Sequence, residues 1–163
     1  MKDPRLLASH LRTLKLPTML AQWQEVSRQC TDADLSYGEF LERLAEREVH
    51  ARETKAIDRR LRQAGFPAPK DLDGFDFTVV PTLNRKRVLD LARGEFLAKR
   101  ENIVLVGPPG VGKSHLATAW GREACRRGHR VKFFTAAGLV NTYVEAREQR
   151  KRPTQPLFTA PVV

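Results

Sequence analysis

Gly107-Pro108-Pro109-Gly110-Val111-Gly112-Lys113-Ser114 fits the pattern G-x-x-x-x-G-K-[ST] without a gap or a substitution. Four apolar residues, Ile103 to Val106, precede it, and a helix-forming run from His115 to Cys125 follows. Strand, glycine turn and helix N-terminus form the frame that a phosphate-binding loop needs. Gly107, Gly110 and Gly112 carry no Cβ, so the backbone can take positive φ and come close to an anion. Successive N–H groups then gather into a nest. A helix starting near Lys113 adds free N–H donors and the positive end of its dipole. All eight residues are therefore candidate ligands for the phosphates of ATP. Lys113 is expected on the β- and γ-phosphates, and the Ser114 hydroxyl on Mg²⁺. The alternative is an ordinary glycine-rich βα turn, but four matching positions at this spacing and in this frame are hard to reach by chance.

The chain has 163 residues and a net charge of +10, which favours a polyanionic partner, nucleic acid or an anionic membrane. A solubilising surface is the blander explanation, because the charge is spread over many helical faces. Cys30 and Cys125 are far apart, with no C-x-x-C or paired-histidine spacing, so a thiolate metal site is not expected and a reduced, cytoplasmic setting is. No apolar run is long enough to span a bilayer, so no membrane partner is expected.

In chain order, Leu6, Leu7, Leu11 and Leu14 predict an amphipathic helix that Leu16-Pro17 interrupts. A second helix is predicted from Thr18 to about Gln29, with Met19, Leu20, Trp23 and Val26 inward. Ser36 and Glu39 have capping-box spacing ahead of a long helix from Tyr37 to about Gln63, which Gly65 and Pro67 close. Its later half carries Arg47, Arg52, Lys55, Arg59, Arg60 and Arg62. Those six form either a solvated, ion-paired face or a phosphate-tracking surface. Residues 66–81 read as a linker, with Phe75-Asp-Phe77 as a short extended anchor. A helix is predicted over Thr82–Lys99, with Val88, Leu89, Leu91, Phe96 and Leu97 inward. Strands are predicted at Ile103–Val106 and Val131–Phe134, and a helix capped by Thr135 runs from Ala136 to about Arg147 with Leu139, Val140, Tyr143 and Val144 as its apolar side. Residues 149–163 contain proline without helical or alternating period, which predicts a disordered tail. The division is therefore a helical domain (1–65), a linker (66–81), a partial nucleotide-binding domain (82–148) and the tail.

A P-loop hydrolase holds Mg²⁺ with a second acid at the end of another buried strand. After Lys113 the acids are Glu123, Glu145 and Glu148, all in helical patterns. No catalytic residue can be assigned, and efficient hydrolysis is not expected.

Several stretches resemble the IstB-like transposition helper ATPases, AAA+ proteins related to DnaC helicase loaders. They are Leu14-Lys-Leu-Pro17, Leu35-Ser-Tyr-Gly-Glu-Phe-Leu41, Phe75-Asp-Phe77, Leu91-Ala-Arg-Gly-Glu95, the Gly107–Ser114 loop and Phe134-Thr-Ala-Ala137. The resemblance covers about residues 1 to 148 in order. It implies an α/β P-loop NTPase domain of AAA+ type behind an all-α N-terminal domain. It also implies ATP-dependent assembly on DNA and a transposase partner. Where Val111 and Ser114 stand, the family usually has threonine, and Ser114 keeps the hydroxyl. The family's second acidic motif, sensors and arginine finger have no counterpart here. The resemblance therefore implies a C-terminally truncated member with an incomplete parallel sheet, in which Ile103–Val106 and Val131–Phe134 are not neighbours. Self-association, or mixed assembly with a full-length relative, follows as an expectation. Two other functions fit the residues: nucleotide-independent binding of DNA or a partner by residues 1–65, and a DnaC-like loader adaptor.

Overall fold

A computed structural model describes residues 4–148. They form seven α-helices: α1 (Pro4–Thr13), α2 (Pro17–Asp32), α3 (Tyr37–Ala64), α4 (Arg85–Ala92), α5 (Glu95–Ala98), α6 (Lys113–Arg126) and α7 (Ala136–Glu148). Two single 3₁₀ turns, Leu72–Gly74 and Phe77–Val79, lie between α3 and α4. The chain divides into two compact units, Met1–Ala56 and Ile57–Val163. No helix among the described residues is long and apolar enough to cross a membrane. The expected tail, 149–163, lies outside the described residues.

In the first unit, α2 begins at Pro17 rather than Thr18. Proline suits the first helical position, because its fixed φ is helical and the N–H it lacks would have no partner there. The next two N–H groups, of Thr18 and Met19, donate to the carboxylate of Glu48 at 2.8 and 3.0 Å. Glu48 is thus the N-terminal cap of α2, supplied by α3. It is 3% exposed and also accepts from Arg52 Nε at 2.9 Å. Arg52 in turn donates to the Lys15 carbonyl. Burial pushes the Glu48 carboxyl up, but the Arg52 bond and the two backbone donors outweigh it and hold the group below the ordinary glutamate value. Val26, Cys30 and Leu44 form the core, with Met19, Trp23, Leu35 and Phe40 packed against it. Trp23 is half-buried against this core, on the side that its helical spacing predicts. The capping box forms as well: Ser36 N–H donates to Glu39 at 2.9 Å and Glu39 N–H donates to Ser36 Oγ at 3.3 Å. Of the leucines predicted to face inward from the first helix, Leu11 is buried while Leu6, Leu7 and Leu14 are exposed.

In the second unit, Ala64, Ala124, Cys125 and Val131 form one core cluster with Leu61, Phe66 and Leu97. Phe75, Val88, Leu116 and Trp120 form another, and Trp120 Nε1 donates to the Val88 carbonyl at 3.0 Å. The stretch 66–81, expected as a linker, lies within this unit and contributes Phe66, Leu72, Phe75 and Phe77 to its packing. Its prolines, aspartates and Gly74 shape turns between the buried Phe75 and the half-buried Phe66 and Phe77, and do not detach the segment. The helix predicted over Thr82–Lys99 is two helices. Asn84 caps the first, accepting from Arg87 N–H at 3.0 Å, and Gly94 at φ 79° ends the continuity. Leu89, predicted inward, is exposed.

The predicted sheet is the main departure. Among the described residues no β-ladder forms, and Ile103–Val106 and Val131–Phe134 lack regular secondary structure. A strand is defined by its neighbour, and these segments are not paired with each other. Phe133 N–H donates instead to the Ala64 carbonyl of α3 at 2.8 Å. Val104 and Val106 are 67% and 88% exposed. On α7, Thr135 Oγ1 accepts from Gly138 N–H at 3.0 Å, but Val140, Tyr143 and Val144 of the expected apolar side are exposed.

Glu48→Ala removes a buried helix cap and should cost about 2 kcal/mol of first-unit stability, read by urea unfolding followed through Trp23. Because its folded pKa lies below its unfolded pKa, the Glu48 contribution is complete above the unfolded value and is lost as pH falls through the folded one. The gap between wild type and variant should therefore close on acidification.

Candidate functional site

The Gly107–Ser114 loop leads directly into α6. Gly110 and Gly112 sit in the left-handed region at φ 85° and 88°, whereas Gly107 does not. The two left-handed glycines therefore carry the turn. Gly112 is the N-terminal flank of α6, and no side chain caps that end. The first-turn N–H groups are left for another acceptor, and the helix dipole adds to their pull on an anion. Gly107, Pro108, Pro109 and Gly110 are exposed, with Val111 and Gly112 half-buried. Lys113 opens α6 and turns its ammonium back over the loop, donating to the Gly107 carbonyl at 2.8 Å and the Pro108 carbonyl at 2.7 Å. Ser114 follows it in the first turn and is exposed.

The loop is held from behind by residues that the motif does not include. A Cβ on Gly112 would lie 2.6 Å from a ring carbon of Phe75, so the phenyl ring occupies the space of the missing side chain. Phe75 packs edge-on against Phe77 at 4.9 Å and against His115 at 5.3 Å between ring centroids. The Arg85 guanidinium sits over Phe77 at 5.2 Å. A ring nitrogen of His115 lies 2.8 Å from the Asp71 carbonyl oxygen. The Asp71 carboxylate takes Arg122 Nε at 2.7 Å and Arg126 at 2.9 Å. The Arg122 hydrogen bond, helped by Arg126 and opposed by partial burial, keeps the Asp71 carboxyl below the ordinary aspartate range. Phe75-Asp-Phe77 is legible in the sequence as an anchor. Asp71 and His115 carry no signal there, because their roles exist only once 71–77 lies against α6.

The arrangement suits a phosphate group. Around Gly110 a Cβ would meet nothing within 4 Å, so the cradle is open on that side. The uncapped helix end, the lysine at the loop and an exposed first-turn hydroxyl fit a nucleotide phosphate with its Mg²⁺. The later acids are placed differently. Glu123 pairs with Arg126 near the far end of α6, and Glu145 is exposed on α7.

A loop-to-helix arrangement of this form suits an anion, through its free N–H groups and the helix dipole. The chain belongs to the family of IstB-like ATP binding proteins, whose family model matches residues 9–158. It is 37% identical over 145 residues to a Pseudomonas aeruginosa protein named as the putative ATP-binding protein of insertion sequence IS21, covering 89% of this chain and 55% of that one. It is 37% identical over 138 residues to the corresponding IS5376 protein of Geobacillus stearothermophilus, covering 85% and 55%. An insertion-sequence protein of Mycobacterium tuberculosis with an ATP-binding name is 43% identical over 139 residues, again covering 85% and 55%. The chain thus spans about half the length of these curated relatives.

The two left-handed glycines should respond differently to substitution. Gly112→Ala meets both the φ penalty and the Phe75 ring, and should destabilise the second unit by roughly 2–4 kcal/mol. Gly110→Ala meets the φ penalty alone and should cost about 1 kcal/mol. Thermal unfolding of the two variants beside wild type gives the comparison.

Proposed function

We propose that this chain binds ATP with Mg²⁺ through Gly107–Ser114 and serves as an ATP-binding helper of insertion-sequence transposition, working on DNA beside a transposase. The observation that carries the nucleotide part is the Lys113 ammonium, held by the Gly107 and Pro108 carbonyls over a loop with two left-handed glycines. Those carbonyls hold the cation in a place where phosphate oxygens compete for it with full negative charge. In the bound state, N–H groups of the loop and of the first turn of α6 would line the phosphates, Lys113 would neutralise the terminal ones, and Ser114 would ligate Mg²⁺. The ion would bridge phosphate oxygens and offset their charge. Hydrolysis is assigned to no residue among those described. Family membership and relatives named for insertion sequences support the transposition context, and the net charge of +10 supports DNA as the partner. Self-association is part of the proposal: Val104 and Val106 expose an apolar, extended segment that no ladder covers among the described residues.

Equilibrium titration of a fluorescent ATP analogue with the purified chain tests the nucleotide part. Saturable, Mg²⁺-dependent binding should weaken about 10- to 100-fold in Lys113→Ala, the equivalent of a charge-assisted hydrogen bond of roughly 1.5–3 kcal/mol. Ser114→Ala should lose most of the Mg²⁺ dependence while keeping nucleotide affinity without the ion. Equal binding by wild type and Lys113→Ala would refute the assignment of the site.

A further inference from the structure

The long α3 carries six basic residues in its later half, and three of them are tied into the fold. Arg47 donates to Gln22 and Gln29, Arg52 to Glu48 and Lys15, and Arg60 Nε to the Cys125 carbonyl at 2.7 Å. Within the second unit this leaves Arg59 and Arg62, both exposed and three positions apart, beside a core-facing side made by Leu61 and Ala64. The segment after α6 lies along the same helix end. Phe133 N–H donates to the Ala64 carbonyl at 2.8 Å, and Lys132 Nζ reaches the Gln63 carbonyl at 3.4 Å. That brings exposed Lys132 to the end of α3, with exposed His129 and Arg130 just before it in the chain. The neighbouring Arg126 and Arg127 are engaged, the first with Glu123 and Asp71 and the second with the Ala92 carbonyl. Residues 57–64 and 129–133 contain one carboxylate, Asp58, against Arg59, Arg62, Arg130 and Lys132. Complementing helix C-termini explains Arg62 and Lys132, but not Arg59 or Arg130.

We infer that Arg59, Arg62, Arg130 and Lys132 form a surface that tracks the phosphate backbone of duplex DNA. The inference rests on the DNA-contacting part of the proposed function and names the surface responsible. Duplex is favoured over single strands by the aromatics nearby. Phe66 and Phe133 pack edge-to-face at 6.3 Å, and the Phe66 ring lies where a Cβ of Gly121 would be, at 2.8 Å. Both rings are half-buried and packed on each other, which makes them poor platforms for unpaired bases, and stacking platforms are what single-strand binders use. Backbone recognition of this kind is indifferent to sequence.

Fluorescence anisotropy of a labelled duplex of arbitrary sequence, about 20 base pairs long, with the whole chain and no nucleotide, tests it. The combined Arg59→Gln, Arg62→Gln, Arg130→Gln, Lys132→Gln variant should bind at least tenfold more weakly, and the slope of log affinity against log salt should shrink by about 0.9 for each phosphate no longer neutralised. Arg59→Lys, Arg62→Lys, Arg130→Lys should retain binding, which separates charge from folding. A single strand of the same length should bind more weakly than the duplex. Unchanged affinity and slope in the glutamine variant would overturn the inference. So would equal weakening in the lysine variant, failure of the wild type to bind duplex, or tighter binding to phosphatidylserine-containing vesicles than to DNA. The ATP-analogue titration of the wild type, run in parallel, separates the two readings: duplex binding without ATP binding fails the nucleotide site alone, and ATP binding without duplex binding fails this surface alone.

Discussion

The contact between Phe75 and Gly112 is the constraint on which the second unit depends. A residue with φ near 88° and an aromatic ring where its side chain would stand can only be glycine. Through that contact the turn-rich stretch 71–77 is fixed against the start of α6, and the Asp71 pairs with Arg122 and Arg126 fasten it further along the helix. The loop keeps its outer side clear because its inner side is occupied. The exposed cradle and the buried ring are two sides of one packing arrangement.

The first unit is organised by an analogous long-range bond. Glu48, in the middle of α3, supplies the acceptor that the start of α2 lacks locally, since Leu16 has no capping oxygen. Burying that carboxylate is tolerable because three donors meet it. Arginine follows the same logic elsewhere. Arg52 and Arg60 look like surface charge in the sequence, but they satisfy a buried acid and a helix-end carbonyl, so the charge left over for a partner is smaller and differently placed than composition implies.

The apolar segments that read as strands show the limit of local pattern. Ile103–Val106 has the composition of a buried strand, yet Val104 and Val106 face solvent and no ladder forms among the described residues. Hydrophobic pattern states what a segment would do with a partner and does not supply one. The same holds for α7, whose helix forms from propensity and a threonine cap while Val140, Tyr143 and Val144 stay uncovered.

The main helices and the candidate loop were legible in the sequence alone. Periodicity and caps placed α2, α3 and α6 to within a few residues, and the spacing of Gly107, Gly112, Lys113 and Ser114 marked the candidate phosphate site. Those signals are local, because a cap, a proline at the first helical position or a glycine at positive φ acts on neighbouring backbone. Packing of the whole chain chose which distant groups complete each element. It put Phe75 behind Gly112, Glu48 at the start of α2, and Lys132 and Phe133 at the end of α3. It also left the two predicted strands unpaired. These outcomes depend on which surfaces meet once the chain packs, and no sequence window spans residues so far apart.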